Sequence, residues 1–252
     1  MARLSVITLT LNEERNIADC LESVRWADEI VVLDSGSTDR TVEIARRYTE
    51  KVMLLEWKGY GAARNEALKH ATGEWILWLD ADERVTPELE GEIRGIVADE
   101  ESSYDGYLVA RRAYFLGRWM KHSGWYPSRI VRLFKRGKGV FTESQVHERL
   151  ELNGRLGTTR NDILHYTDPD LEHYFSKFNR YTSLAAADLA AAGRHASLFD
   201  LLTRPPFLFV KMYFLRLGFL DGVHGLILAL LSAGYVLTKY AKLWELTNSK
   251  NK

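Results

Sequence analysis

Glu74-Trp75-Ile76-Leu77-Trp78-Leu79-Asp80-Ala81-Asp82-Glu83 sets the architecture of the chain. An almost wholly apolar run ends in three carboxylates within four residues. Its length and its Trp, Ile and Leu content suit a strand buried on both faces, as in a parallel sheet. The apolar flanks give no solubility reason for acids at this point. Carboxylates at the carboxyl end of such a strand point into the crevice where open α/β sheets bind ligands. Hard oxygen ligands one residue apart, Asp80 and Asp82, suit Mg²⁺ or Mn²⁺, which clamps a diphosphate. The plainer alternative is that Asp82 or Glu83 caps the following turn.

The flanking sequence repeats the strand–helix alternation. Leu4 to Thr10 reads as a first strand, and Asn12 is placed to cap a helix with Glu13 and Glu14 in its first turn. Glu29 to Asp34 is a second strand that ends in an acid and enters the turn Ser35-Gly36-Ser37-Thr38-Asp39. A helix from Thr41 to Tyr48, a strand from Val52 to Trp57, a helix from Ala62 to Ala71 and the strand Glu74 to Leu79 follow. Short connections between alternating elements predict a right-handed, mainly parallel, doubly wound α/β sheet. Thr86-Pro87 opens another helix. After about Ser103, Tyr107 to Arg111, Ile130 to Lys135 and Val146 to Leu152 read as short antiparallel strands. From Pro169 the pattern is helical, so a first domain is expected over residues 1–168 and a helical region over 169–252.

Composition excludes several classes. The chain of 252 residues is 46% hydrophobic and 27% charged with a formal net charge of zero, which argues against a general nucleic-acid binder. Locally, residues 111–138 hold nine Lys or Arg and no Asp or Glu, interleaved with aromatic residues that suit a phosphorylated sugar or lipid headgroup. Cys20 is the one cysteine, which points to a reducing compartment, and no signal peptide is expected. No G-x-G-x-x-G follows the first strand and no G-x-x-x-x-G-K-[ST] occurs, so hydride-transfer and P-loop enzymes are unsupported. The longest charge-free C-terminal run, Gly225 to Leu237, falls short of the ~20 residues that span a bilayer. Its aromatic and cationic flanks predict a helix lying in the headgroup interface, or alternatively an oligomer interface.

Thr8-Leu9-Thr10-Leu11-Asn12-Glu13, Asp34-Ser35-Gly36-Ser37-Thr38-Asp39 and Asp80-Ala81-Asp82 together resemble the inverting family-2 glycosyltransferases of the GT-A fold. The chain is most similar to the lipopolysaccharide-core β-1,4-glucosyltransferase branch. That likeness is carried by Trp57-Lys58-Gly59-Tyr60-Gly61, Ala63-Arg64-Asn65, Leu77 to Glu83, Val146-His147-Glu148 and Phe219-Leu220-Asp221-Gly222. The resemblance implies a GT-A catalytic domain with a helical, membrane-docking C-terminal region on the cytoplasmic face of the inner membrane. It implies transfer of a hexose, first of all glucose, from a UDP-sugar to a glycolipid such as the lipopolysaccharide inner core.

The same resemblance implies residue roles. Thr10, Asn12 and Glu13 would line the uridine pocket, and Asp34, with Ser35 and Gly36 beside it, would meet uracil or ribose. Lys58 and Arg64 would reach the base or diphosphate. Asp80 and Ala81 would approach the ribose, with Asp80 near a Mn²⁺ or Mg²⁺ ion that Asp82 ligates directly. His165 is either a further metal ligand or a histidine packed between apolar neighbours. The Glu-Asp pair that supplies the base in many relatives is absent. Glu148, then Glu143, are the candidates for the base, and residues an odd number apart on a strand face opposite sides. A sugar nucleotidyltransferase and a non-catalytic membrane-bound scaffold remain as alternative readings. The first is disfavoured by Leu11-Asn12-Glu13-Glu14 where a basic phosphate loop would stand.

Overall fold

The computed structural model describes residues 4–55, 60–142 and 149–248. Lys58, Glu143 and Glu148 therefore lie outside the described residues. In chain order the elements are β1 (Leu4–Thr10), α1 (Ile17–Glu22), β2 (Glu29–Asp34), α2 (Thr41–Ala45), β3 (Val52–Leu54), α3 (Tyr60–His70) and β4 (Trp75–Trp78). Then come β5 (Glu83–Val85), α4 (Pro87–Ala98), β6 (Gly106–Phe115), β7 (Arg118–Trp119), β8 (Ser128–Lys135), β9 (Gly139–Phe141), β10 (Leu150–Leu152), β11 (Leu156–Thr158) and β12 (Ile163–Asp168). The rest is helical: α5 (Leu171–Ala191), α6 (Leu198–Val210), a π-helical turn (Lys211–Leu215), a 3₁₀ turn (Gly218–Asp221) and α7 (Gly222–Asn248).

Two compact units divide the chain: residues 1–111 with 128–165, and residues 112–127 with 166–252. This differs from a single cut after residue 168, because residues 112–127 join the second unit. In the first unit the strands run in the order β3-β2-β1-β4-β8-β6, with β1 to β4 parallel and β8 antiparallel to β4. Of the strand-like runs after Ser103, those at Tyr107 and Ile130 extend the same sheet as β6 and β8, whereas β10, the described part of the third, pairs with β9 in a separate two-stranded sheet. The order reverses between β1 and β4, and ligands of open α/β sheets bind outside the carboxyl ends at such a switch point.

Strand alternation sorts the core. Leu4, Val6, Ile30, Val32, Trp75 and Leu77 join a cluster with Ile17, Leu21, Leu89 and Ile93. Their neighbours Ile7, Val31, Leu33, Ile76 and Trp78 pack on the other side with Ala67, Ala71, Phe134 and Phe141. Successive side chains on a strand point to opposite faces, so both faces of a central strand must be apolar when helices cover both.

The expected helix at Asn12 is corrected. Asn12 has φ +54°, its side-chain oxygen accepts from the Thr38 amide at 2.8 Å, and the helix begins only after Asn16. Asn tolerates the left-handed region better than most residues, and its short side chain bonds the backbone of a nearby loop in place of a helix end. Thr86 behaves as expected: it caps α4 by accepting from the Leu89 amide at 3.2 Å.

At the amino end of β2, buried Glu29 accepts from Ser5 Oγ, from Lys51 Nζ, and from the amide (2.7 Å) and hydroxyl (2.9 Å) of Thr72. Burial opposes its charge, but these donors outweigh it and hold the carboxyl down at about 2. A depressed carboxyl stabilises the fold above its unfolded value of 4.5, and that contribution fades as pH falls towards 2. The stability gap between the parent and Glu29→Gln is expected to shrink by about 2 kcal/mol from pH 7 to pH 3. Urea unfolding at both pH values measures it; a gap that does not change would remove this role.

In the second unit, Asp170 caps α5 through the His173 amide at 2.7 Å. Gly225 of α7 lies so close to Gly218 that a Cβ would come within 1.8 Å of the Gly218 carbonyl oxygen. By length and composition alone, Gly218–Asn248 is long and apolar enough to cross a membrane, which the charge-free run understates. Large apolar side chains on α6 and the π-helical turn, including Leu198, Phe199, Leu202, Phe207 and Leu215, are exposed.

Candidate active site

The site grows from the parallel register. Thr10 stands beside Asp34 in the β1–β2 pair, and Ile7 beside Trp78 in the β1–β4 pair, so Thr10, Asp34 and Asp80 reach one edge of the sheet. The two loops leaving β1 and β2 are laced together. The Asn12 amide donates to Ser37 Oγ at 2.7 Å, Ser37 Oγ donates to Asp34 Oδ2, and the Glu13 amide donates to Thr41 Oγ1 at 2.8 Å. Asp34 Oδ1 also accepts from the Gly36 and Ser37 amides at 3.0 and 2.8 Å, and Gly36 supplies the φ of +102° that this turn requires. Asp34, Asn12 and Glu13 thus build the rim itself. The buried hydroxyls Thr10 Oγ1 and Ser35 Oγ are without a hydrogen-bond partner among the described residues. Buried polar groups are nearly always satisfied, so two orphan hydroxyls at one strand edge fit a bound polar ligand.

The acids of the central stretch separate into distinct roles. Asp80 accepts from Arg132 at Oδ2 and from Trp78 Nε1 at 3.1 Å, and the Arg64 guanidinium lies 3.6 Å from its Oδ1. Burial works against the Asp80 charge, but Arg132 and Arg64 overcome it and hold the carboxyl far below the usual range. Glu83 is fully buried, accepting from Arg132 at 2.6 Å and from the Asp80 amide at 3.1 Å. Burial pushes the Glu83 carboxyl up despite Arg132, and the neighbouring Asp80 charge adds to the rise. Ala81, buried between the two aspartates, presents its carbonyl to Arg84 at 3.0 Å.

Asp82 meets a different partner. His165 Nε2 lies 3.3 Å from Asp82 Oδ2, because β12 pairs antiparallel with β5 and sets His165 opposite Glu83. Burial disfavours the imidazolium, yet the Asp82 carboxylate raises the His165 value above its ordinary one. Of the three residues expected at the ion, Asp80, Asp82 and His165, the structure brings Asp82 and His165 together, while Asp80 is engaged by arginines. No group of three His, Cys, Asp or Glu is gathered as a metal site among the described residues. A carboxylate beside an imidazole, both partly exposed, fits Mn²⁺ or Mg²⁺ when phosphate oxygens and water complete the shell.

The Arg64 guanidinium, beside Asp80, lies 5.2 Å from the rings of both Trp78 and Phe141. Its neighbour Asn65 exchanges hydrogen bonds with the Phe141 backbone, both at 2.8 Å, which ties α3 to β9. Two cations of the basic segment turn inward. Arg132 is 3% exposed, and Arg111, lowered by its own burial and by the Arg132 charge, donates to Ser128 at 3.2 Å. Arg132 is a site residue the sequence reading missed. The signal was present: an arginine inside the apolar strand Ile130-Val131-Arg132-Leu133-Phe134 needs a buried acid. Cys20 donates to the Asp80 carbonyl at 3.5 Å, and burial pushes its thiol far up, away from nucleophilic chemistry.

Known proteins resemble this chain in sequence and in fold. The profile of the family described as Glycosyl transferase family 2 matches residues 5–180. The chain is 31% identical over 249 residues to the lipopolysaccharide core biosynthesis glycosyltransferase LpsC of Rhizobium meliloti, covering 96% of this chain and 92% of that one. It is also 31% identical over 258 residues to the uncharacterized glycosyltransferase RT0209 of Rickettsia typhi, covering 98% and 88%. Among solved structures, the mannosyltransferase PcManGT of Pyrobaculum calidifontis, in complex with GDP-Man and Mn²⁺, superposes with a TM-score of 0.55. That match has 18% identity, covers 97% of this chain and 88% of the other, and bears on the fold alone.

Proposed function

The chain belongs to glycosyl transferase family 2 and has the GT-A fold, and on that premise we propose its substrates and chemistry. It moves a hexose, glucose being the first candidate, from a UDP-sugar onto a glycolipid acceptor such as the lipopolysaccharide inner core, with inversion. The observation that carries this reading is the meeting of Asp82 with His165 beside the arginine-held Asp80. The relative named for lipopolysaccharide core biosynthesis supports the acceptor class.

Each group then has a physical task. Thr10, Asn12, Glu13, Asp34, Ser35, Gly36 and Ala81 line the nucleotide pocket, where a pre-bonded rim loses little freedom on binding. Arg64, with Lys58, meets diphosphate charge by charge-assisted hydrogen bonds. Asp82 and His165 would hold Mn²⁺ or Mg²⁺, which supplies positive charge against the departing diphosphate. Glu148, or alternatively Glu143, accepts the proton of the acceptor hydroxyl as that oxygen bonds the anomeric carbon. The bond from that carbon to the diphosphate oxygen breaks through an oxocarbenium-like state, by analogy with glycoside hydrolysis. Exposed apolar side chains on α6 and the π-helical turn, with Lys211 and Arg216 among them, favour docking on the cytoplasmic face of the inner membrane.

The experiment is nucleotide release from UDP-glucose, UDP-galactose, UDP-N-acetylglucosamine and GDP-mannose with Mn²⁺. Slow hydrolysis strongest with one UDP-hexose is the expected outcome. Preference for GDP-mannose, or neither turnover nor a thermal shift with UDP, would sink this reading.

A further inference from the structure

The second unit contains a cavity of about 420 Å³ that the sugar-transfer chemistry does not use. Its lining includes Ser123, Trp125, Tyr174, Lys211, Arg216 and Tyr235, and no carboxylate. Such a volume is within the ordinary range for a small-molecule site, about 300–1,000 Å³. Among the described residues, neither Lys211 nor Arg216 makes an ion pair, whereas the nearby acids are occupied. Asp200 pairs with Arg204, and buried Asp221 accepts from the His122 amide at 2.8 Å and faces His122 Nδ1 at 3.0 Å.

The wall is built, not incidental. The backbone turn after α6 is π-helical, and the Arg216 amide donates to the Lys211 carbonyl at 2.8 Å, five residues back. The wider π turn brings these two cations towards one side, and such turns occur often at functional sites. Opposite them, Ser123 has φ +60° and Gly124 φ +80°, and the Ser123 amide donates to the Arg216 carbonyl at 2.8 Å. A non-glycine residue in the left-handed region persists only where its surroundings enforce it. Here Asp221 does so, holding the backbone of the adjacent His122. Ser123 is 4% exposed, and its Oγ lacks a hydrogen-bond partner among the described residues. The Tyr174 hydroxyl, pushed up to about 12 by burial, remains a donor at neutral pH.

We propose that this cavity binds the phosphate group of a lipid-borne headgroup, with Lys211 and Arg216 meeting its charge and Ser123 Oγ donating to one of its oxygens. Two unpaired cations, an orphan hydroxyl and no carboxylate form a donor-rich site that suits a phosphate and disfavours a neutral sugar. The lipid source follows from the surroundings. Phe207, Phe214 and Leu215, on α6 and the π-helical turn, are 65%, 52% and 69% exposed, so an acyl chain would find apolar surface on the segment that carries both cations. The inference deepens the reading of the protein as a membrane-docked transferase and rests on it for the lipid.

The test uses the full chain and monomeric dihexanoyl phosphatidic acid in isothermal titration calorimetry. The intact chain is expected to bind it, with dihexanoyl phosphatidylcholine and inorganic phosphate each weaker. The Lys211→Gln/Arg216→Gln double variant is expected to bind about tenfold more weakly or worse, as loss of two charge-assisted bonds implies, and Lys239→Gln to bind unchanged. Single Lys211→Gln and Ser123→Ala variants, each expected to lose severalfold, keep the test decisive should the double variant fail to fold. Equal binding by the parent and the cation variants, or equal binding of the two lipids, overturns the proposal. Inorganic phosphate binding as tightly as the lipid overturns the lipid source. A UDP thermal shift on the same samples separates the readings: UDP binding without phosphatidic acid binding defeats only this inference. Phosphatidic acid binding without UDP binding defeats the donor assignment instead.

Discussion

Asp82→Ala is expected to lower Mn²⁺-dependent hydrolysis and transfer by roughly 10²- to 10³-fold, the usual loss when one group stabilising a developing charge is removed. Asp80, Asp82 and Glu83 look interchangeable by composition, but Arg132 pairs with Asp80 and Glu83, whereas the Asp82 carboxylate lies 3.3 Å from His165 Nε2. Asp80 and Glu83 are claimed by Arg132, so neither can replace the lost ligand without abandoning a buried cation. His165→Ala should cost less, of order 10- to 100-fold in metal affinity, as the removal of a supporting interaction does. The loss should be chemical and not structural: Asp82 is 15% exposed, and a thermal scan of the metal-free variant should stay near the parent. Activity within a factor of a few of the parent would remove Asp82 as ligand. A collapse of the fold would make it structural.

The second large effect is on stability. Arg132→Met should cost about 3–5 kcal/mol, because removal of one partner from a buried ionic cluster leaves carboxylates without their counter-charge. Arg132 touches both Asp80 and Glu83, and both carboxyls lose their strongest donor together. The loss is limited by Glu83, whose carboxyl burial already pushes above its ordinary value, so that taking up a proton is less costly for it than for Asp80 once Arg132 is gone. Adding Glu83→Gln to Arg132→Met should therefore recover part of the loss, since a neutral amide tolerates burial better than an orphan charge. For a unit of this size the single variant should melt roughly 10 °C lower. Denaturation midpoints of the parent, single and double variants measure the coupling. A single variant within about 1 kcal/mol of the parent would show that Arg132 is not the counter-charge for these acids.

What the sequence disclosed follows from local rules. Trp75 to Trp78 had to be buried on both faces, which demanded helices on both sides and hence a parallel, doubly wound sheet. Thr86 and Pro87 marked a helix start because capping chemistry is encoded in adjacent residues. Asp34 and Asp82 were legible because acids that end apolar strands have no purpose within the strand. Asn12 was misread for the same local reason: a capping residue and a loop-bridging residue carry the same side chain, and only Thr38, 26 positions away, distinguishes them.

The sequence by itself determined the sheet, its order of strand and helix, and the edge at which the acids gather. Only the tertiary structure decided what each acid does. Asp80 is bound to Arg132 across 52 positions of sequence, and His165 reaches Asp82 because β12 returns antiparallel beside β5. The same holds for the second unit, where Asp221 holds His122 from 99 positions away and so shapes the cavity wall at Ser123. Backbone preference and burial act over a few residues and can be read along the chain. Charge pairing acts through space, and its partners are fixed only when folding brings distant strands to one edge.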